Sequence, residues 1–195
     1  MIIASHNTLT FAAPLRWWHR ILTPVFRCQT KDLPAQIAAG ATAFDIRFAP
    51  VRGGWASAHG AVTLDISPIK AIHAINDRCP GAYIRIILEK GGERSFAAFK
   101  EICIHLEKAY PRLNFFGGNY KPTWQQLHTF ASDASGQLSS RIFQWVGSMQ
   151  PPRGKDWWRH LWRYWGSLFP TLWARIHRLP DIPLRADTIL FLDSI

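Results

Sequence analysis

Short apolar runs alternate with segments of helical periodicity along most of the 195-residue chain. The apolar runs predict strands at 2–7, 42–49, 55–59, 82–88, 113–117, 141–146 and 188–193. Apolar residues spaced three or four apart predict helices at 33–39, 67–78, 95–109 and 123–130. The third of these helices is expected to begin with Ser95 as its N-cap. A repeated order of strand, helix and strand is typical of an α/β fold with a largely parallel sheet.

The length of the chain limits the kind of α/β fold. A closed (β/α)8 barrel usually takes about 250 residues, with about 200 as a lower bound. We therefore expect a small or incomplete TIM-type (β/α) barrel that occupies residues 1–195 as a single domain. Neither an internal repeat nor a low-complexity segment interrupts the pattern.

The strand predicted around residue 45 carries an acid and a base on one face. With a period of two, Phe44, Ile46 and Phe48 share one face, while Asp45 and Arg47 share the other. Helices would cover the apolar face and leave the charged pair on the opposite side. In a half-buried strand, such a pair is either a structural ion pair or part of a functional site.

Two histidines follow neighbouring strands of the same pattern. His6 comes at the end of the first strand, and His59 comes at the end of the strand after Asp45 and Arg47. The carboxyl ends of barrel strands are where (β/α) barrels place their active sites. A single histidine here is more often a satisfied polar group, but four such residues together indicate a site.

The order of these residues resembles a known family. Ser-His-Asn-Thr at 5–8, Ala-Gly-Ala-x-x-Phe-Asp-Ile-Arg at 39–47, and then Trp55 and His59-Gly60 are similar to the X domain of phosphatidylinositol-specific phospholipase C and related phosphodiesterases. The match covers 2–60 and extends more loosely to 86–89. The resemblance implies a phosphodiesterase of the phospholipase C type, either hydrolase or lyase, that acts on phosphatidylinositol or a related phospholipid headgroup.

Cleavage of a phosphodiester requires a base for the attacking hydroxyl, an acid for the leaving alkoxide and positive charge on the phosphoryl oxygens. By resemblance, His6 would be the general base, His59 the general acid and Arg47 the phosphate ligand, with Asp45 orienting Arg47. An inositol hydroxyl would attack intramolecularly and leave a cyclic phosphate and a diacylglycerol-like product. The candidate substrate-binding residues are Asn7, Glu89 and Lys90.

A base histidine also needs a carboxylate on its second ring nitrogen. The last predicted strand ends at Asp193, and a closing barrel would place that strand beside the first one. Asp193 is therefore the candidate partner of His6. The alternative is a solvated acid at a frayed chain end.

Metal dependence is a further choice within the resemblance. Calcium-dependent members have an asparagine after the first histidine, two acids spaced by two and a later glutamate, and Asn7, Asp45 and Glu89 fit three of those places. Arg47 stands at the place of the second acid, where its charge would repel a cation. We expect no cofactor, while Ca²⁺ or Mg²⁺ on Asn7, Asp45 and Glu89 stays possible.

Composition adds a membrane hypothesis. The chain has a formal charge of +10 and ten tryptophans. Segment 153–178 carries six arginine or lysine residues against one aspartate, and its predicted helix places Trp158, Trp162 and Trp165 on a broad apolar face. This helix either packs on the barrel or lies in a bilayer interface. Trp17 and Trp18 could form a second membrane contact.

Other functional classes are disfavoured. No helix-turn-helix, zinc-finger, RRM or KH signature accompanies the basic charge, so no nucleic-acid partner is expected. The three cysteines form no CxxC pair and indicate buried, reduced thiols. Neither a secretory signal nor a membrane span is predicted, which favours a cytoplasmic location, either free or peripherally attached to a membrane. Two alternatives remain: a metal-dependent glycerophosphodiester phosphodiesterase, and a catalytically degenerate barrel that acts as a membrane-binding module.

Overall fold

A computed structural model describes residues 1–117, 141–146, 169–176, 179 and 183–195. The strands are β1 (Ile2–Ser5), β2 (Ala43–Val51), β3 (Gly54–His59), β4 (Val62–Leu64), β5 (Tyr83–Leu88), β6 (Asn114–Gly117), β7 (Ile142–Trp145) and β8 (Ile189–Leu192). The α-helices are α1 (Thr23–Phe26), α2 (Leu33–Ala38), α3 (Pro68–Arg78), α4 (Glu93–Ala109) and α5 (Pro170–Ile176). Two 3-10 helices span Thr8–Phe11 and Trp17–Leu22.

Six of these strands form a parallel sheet in the order β6-β5-β2-β1-β8-β7. The carboxyl-terminal end of β2 pairs with β3 in antiparallel orientation, and β3 pairs with β4 in the same way. The sheet curls as part of a barrel, so the expected α/β fold with an incomplete TIM-type barrel is confirmed. In this order β1 lies between β2 and β8, and the carboxyl ends of all three strands meet at one edge.

The two faces of the sheet differ in chemistry because side chains alternate along each strand. On one face, Phe44, Ile46 and Phe48 are fully buried and pack in a core with residues of α3 and α4, as their alternation predicts. The other face carries a smaller apolar cluster, which consists of Ala4, Ala43, Phe116, Ile189 and Phe191. Polar side chains lie on the same face, closer to the carboxyl ends of the strands. They come from β1, β2, β5 and the residue after β8.

Two boundaries differ from the sequence-based expectation. The first strand ends at Ser5 because Asn7 adopts a left-handed backbone conformation with φ of 48° and begins a 3-10 helix. Helix α4 begins at Glu93 with Gly92 as its N-cap, so the prediction that Ser95 caps it is wrong. The preceding Gly91 has φ of 134°, a conformation that favours glycine, and this turn positions the helix start without a side-chain cap.

Some of the elements predicted from the sequence lie in residues that the structure does not describe. The expected helix at 123–130 and the tryptophans Trp158, Trp162 and Trp165 lie outside the described residues. Within the described part, Pro170 is the first residue of α5. No helix of that part is both long enough and apolar enough to cross a bilayer.

The fold makes a prediction about stability. Ile46 has no exposed surface, and Ile46→Ala should lower the free energy of unfolding by about 2–5 kcal/mol because it leaves a cavity between β2 and the helices. Ile21 is 83% exposed, and Ile21→Ala should stay within about 0.5 kcal/mol of the parent. Urea unfolding of the two variants measures both values, and similar losses for the two would contradict the packing described here.

Candidate active site

The side chains of His6 and Asp193 are in direct contact at the carboxyl end of the sheet. His6 Nδ1 lies 2.6 Å from Asp193 Oδ1, and the two residues are 6% and 3% exposed. Since the carboxylate can only accept, Nδ1 carries the proton and donates it. When the ring carries this one proton, Nε2 keeps its lone pair, and it faces Arg47.

The loop after α1 holds Asp193 in this position. Ser194 N donates to Cys28 O at 2.8 Å, and Gln29 Nε2 donates to Leu192 O at 2.9 Å and to His6 O at 3.1 Å. One glutamine amide therefore ties the end of β1 to the end of β8. This clamp accounts for the burial of Asp193, which is not the solvated acid that the sequence left as an alternative.

Asp45 lies between two arginines on neighbouring strands. Arg85 donates through Nε to Oδ1 at 3.2 Å and through Nη2 to Oδ2 at 2.8 Å, and Arg47 Nη2 reaches Oδ2 at 3.3 Å. Asn7 N also donates to Oδ2 at 3.1 Å. Burial alone would raise the pKa of Asp45, but the charges of Arg85 and Arg47 outweigh it and hold that pKa well below its usual range. Asp45 is therefore a fixed anion.

Arg47 spans the centre of the cluster with its guanidinium group. Its Nη1 atom donates to Glu89 Oε2 at 2.8 Å, and its Nη2 atom lies 3.3 Å from His6 Nε2. Glu89 also accepts a hydrogen bond from Gly60 N through Oε1 at 2.8 Å. Glu89 thus connects Arg47 to the turn that follows His59.

His59 is held as a neutral imidazole. Its Nδ1 atom donates to the carbonyl of Phe26 at 2.6 Å, and its Nε2 atom accepts from Asn7 Nδ2 at 3.2 Å. Burial, followed by the positive charge of Arg47, lowers the pKa of His59 to about 4. Near neutral pH, the ring therefore presents a lone pair to the centre of the cluster.

The side-chain amide of Asn7 lies between the two imidazoles. Its Nδ2 atom is 3.3 Å from His6 Nε2 and 3.2 Å from His59 Nε2, so the two ring nitrogens are separated by no more than the sum of these distances. Asn7 Oδ1 is buried and has no hydrogen-bond partner within the described residues. Two imidazoles and a guanidinium thus surround a common point, and one unused acceptor is left beside it.

The remaining predicted site residues lie at or outside the edges of this cluster. Lys90 Nζ donates to Ala61 O at 2.7 Å and to Thr63 Oγ1 at 3.2 Å, which directs it to the β3–β4 hairpin, and burial lowers its pKa. Trp17 and Trp18 are 73% and 49% exposed in the second 3-10 helix.

Two members of the cluster were missed as site residues by the sequence analysis. Arg85 is a charged residue within the otherwise apolar run of β5, and in register it pairs directly with Asp45. A charged residue inside an apolar strand was therefore a signal that could have identified Arg85 as a site residue. Cys28 was interpreted only as a buried thiol, and no motif marks it, because it comes from a loop that tertiary structure brings to the site.

The donor set does not fit a hard cation at Asn7, Asp45 and Glu89. The carboxylates of Asp45 and Glu89 bind guanidinium groups, and the amide nitrogen of Asn7 faces the imidazoles. Ca²⁺ and Mg²⁺ need several oxygen ligands around one point, and two arginine charges here would repel them. The positive charge next to these carboxylates comes from Arg47 and Arg85.

No protein-family model matches the sequence, and a comparison with curated proteins finds no similar sequence. Solved structures similar to this chain include the phosphatidylinositol-specific phospholipase C from Listeria monocytogenes, at 18% identity and a TM-score of 0.47 over 60% of this chain and 50% of that one. The Staphylococcus aureus enzyme of the same name matches at 17% identity and a TM-score of 0.42, over 60% of this chain and 46% of that one.

The chain spans about half the length of these structures. They are of the family that the sequence motifs resemble.

The depressed pKa of His59 predicts how stability depends on pH. The folded value is about 4 against 6.5 for an ordinary histidine, so the unfolded chain binds more protons between these pH values. Stability should therefore fall as the pH is lowered from 6.5 towards 4, by roughly 3 kcal/mol from this residue.

Urea unfolding at several pH values, for the parent and for His59→Gln, checks this expectation. The variant should lose less stability over the same interval because it cannot take up the proton. Equal losses in the two proteins, or an NMR titration of His59 with a midpoint near its ordinary pKa, would contradict the assignment.

Proposed function

We propose that this protein is a phosphodiesterase of the phospholipase C type that cleaves phosphatidylinositol or a related phospholipid headgroup. The observation that carries the proposal is the convergence of His6, His59 and Arg47 around the amide of Asn7. Two groups that can exchange protons and one fixed cation are the minimum that phosphodiester cleavage requires. A structural ion pair alone would not need two imidazoles with their lone pairs facing the same point.

His6 is the general base in this proposal. Its Nε2 atom takes the proton from an inositol hydroxyl, and the hydroxyl oxygen then attacks the phosphorus. Asp193, which accepts the hydrogen bond from Nδ1, stabilises the imidazolium that forms. Arg47 stabilises the charge on the phosphoryl oxygens as the bond to the leaving oxygen breaks. The products are a cyclic inositol phosphate and a diacylglycerol.

His59 is the general acid that protonates the leaving alkoxide. It is neutral in the unliganded protein, so it must gain a proton as the substrate binds. The charge of Arg47 is one cause of its low pKa, and an anionic phosphodiester beside Arg47 offsets that charge. Substrate binding therefore raises the pKa of His59. Asn7 supplies a hydrogen bond to the ring but no charge.

Substitution of the histidines tests the proposed mechanism. His6→Ala and His59→Ala should each lower the rate of phosphatidylinositol cleavage by about 10²–10⁴, the usual contribution of general acid–base catalysis. His105→Ala is the matched control, because His105 is exposed on α4 and should leave the rate unchanged. The measurement is the release of inositol phosphate from mixed micelles.

A parent protein that cleaves no phospholipid headgroup would overturn the proposal and leave a binding module.

EDTA provides a second check, because Arg47 and Arg85 replace a metal ion in the proposed mechanism. Activity should survive chelation, and its complete loss would favour the metal-dependent glycerophosphodiester phosphodiesterase instead.

The exposed 3-10 helix at Trp17–Leu22 supports a peripheral membrane contact. Trp17, Trp18 and Ile21 are 73%, 49% and 83% exposed, and the guanidinium of Arg16 lies over the ring of Trp18 at 5.5 Å. Adjacent aromatic and cationic side chains suit the headgroup region of an anionic bilayer. We propose that this surface contacts the lipid from which the headgroup is cleaved.

Vesicle sedimentation tests the membrane contact. The double variant Trp17→Ala with Trp18→Ala should bind vesicles containing anionic lipid about tenfold more weakly, which corresponds to roughly 1.4 kcal/mol of lost interfacial burial. Ile69→Ala with Ile104→Ala removes exposed apolar side chains from α3 and α4 and is the control. Equal binding by the parent and the tryptophan variant would remove this surface from the proposal.

A further inference from the structure

Cys28 points into the cluster, although the acid–base chemistry above makes no use of sulfur. The residue is 1% exposed, and its Sγ atom lies 3.3 Å from Asn7 Nδ2 and 3.9 Å from His59 Nδ1. One ligand atom each from His6, Cys28 and Asp193 lies within 4.8 Å of the other two. A nitrogen, a sulfur and an oxygen that can each bind a metal are therefore held together.

The backbone around Cys28 is fixed on both sides. Cys28 N donates to Thr10 Oγ1 at 3.0 Å, and Cys28 O accepts from Ser194 N at 2.8 Å. The second bond ties Cys28 directly to the residue after Asp193. The relative position of the thiol and the carboxylate is thus set by main-chain hydrogen bonds, and this reduces the entropy that a ligand would have to remove.

The donor types select a particular class of ion. Imidazole, thiolate and carboxylate are the ligands of Zn²⁺, whereas Ca²⁺ and Mg²⁺ take oxygen ligands. In a tetrahedral Zn²⁺ site the ligand atoms are about 3.2–3.8 Å apart, as follows from bonds of about 2.0–2.3 Å. Side-chain movements of about 1 Å reach that geometry: separations of up to 4.8 Å shorten, and the 2.6 Å contact between His6 Nδ1 and Asp193 Oδ1 lengthens.

The surroundings of His6 also fit a metal-bound histidine. Such a ring usually donates its second N–H to a carboxylate, which fixes its orientation. With Nδ1 on the ion, His6 Nε2 carries the proton. Asp45 Oδ2 lies 3.8 Å from it, beyond hydrogen-bond length, and the donors Arg47 Nη2 and Asn7 Nδ2, each 3.3 Å away, have to turn aside for that bond to form. Arg47 pairs with Asp45 and Glu89, and these two carboxylates offset the repulsion between its positive charge and the ion.

We propose that His6, Cys28 and Asp193 form a binding site for a thiophilic divalent cation of the Zn²⁺ type, with a fourth position open to water. On binding, Cys28 releases its thiol proton, while the proton of His6 moves from Nδ1 to Nε2. Each bound ion therefore releases one proton. Because Nε2 is then no longer a base, the ion inhibits cleavage, a consequence that rests on the proposed function.

Cobalt(II) titration under anaerobic conditions tests the site without any enzyme assay. The parent chain should bind one equivalent and show both the thiolate-to-cobalt charge-transfer band and the visible bands of tetrahedral cobalt. Cys28→Ser should lose the charge-transfer band. Cys79→Ser is the matched control, since Cys79 lies at the end of α3, and it should behave like the parent.

A parent without the charge-transfer band, or a Cys28→Ser variant that keeps it, would overturn the site. If Cys28→Ser does not fold, X-ray absorption of the Zn²⁺-loaded parent decides, with one sulfur at about 2.3 Å expected and a shell of nitrogen and oxygen alone contradicting the proposal. A cobalt band in a protein without phosphodiesterase activity would support the cation site and overturn only the proposed function.

Discussion

The carboxylate of Asp45 holds a negative charge inside the protein, and the other charges of the site are arranged around it. Transfer of an isolated carboxylate from water to the protein interior is costly, and removing one partner of a buried pair typically costs about 3–5 kcal/mol. Here Arg47 and Arg85 neutralise it from two neighbouring strands, and the backbone N–H of Asn7 adds a third contact. Without Asp45, the two guanidinium groups would repel each other. This anion therefore links β1, β2 and β5 at the edge where the histidines lie.

Positive and negative charges alternate outwards from Asp45, and this gives the two histidines different electrostatic surroundings. Arg47 reaches Glu89 on one side and His6 on the other. His6 has the carboxylate of Asp193 on its second nitrogen, whereas the second nitrogen of His59 donates to the uncharged carbonyl of Phe26. Two imidazoles close to the same point thus have different electrostatic surroundings. Such a difference is how a site can assign one group to accept a proton and the other to donate it.

Alternation along β2 predicted correctly which face is buried against helices and which face carries Asp45 and Arg47, because a two-residue period needs no tertiary information. Boundaries that depend on backbone geometry were less accurate. Asn7 ends β1 early with a positive φ, and Gly91 and Gly92 start α4 where Ser95 was expected to cap it. The local preference of serine for an N-cap position is therefore overridden by the turn at Gly91 and Gly92, which the surrounding packing favours. The three-residue strand β4 was missed because it is too short to show a period.

The sequence by itself determined the chain order of the six parallel strands and of helices α2, α3 and α4, the polarity of the two faces of β2 and the residue types available for acid–base chemistry. It left two alternatives for Asp193, and only the tertiary structure decided which partners the site residues have. The contact between His6 and Asp193 joins positions 187 residues apart, and Arg85 and Cys28 enter the cluster from a neighbouring strand and a loop. Periodicity reports the environment of a residue relative to its own element, whereas pairing, tautomer and pKa depend on atoms that the fold brings from distant parts of the chain.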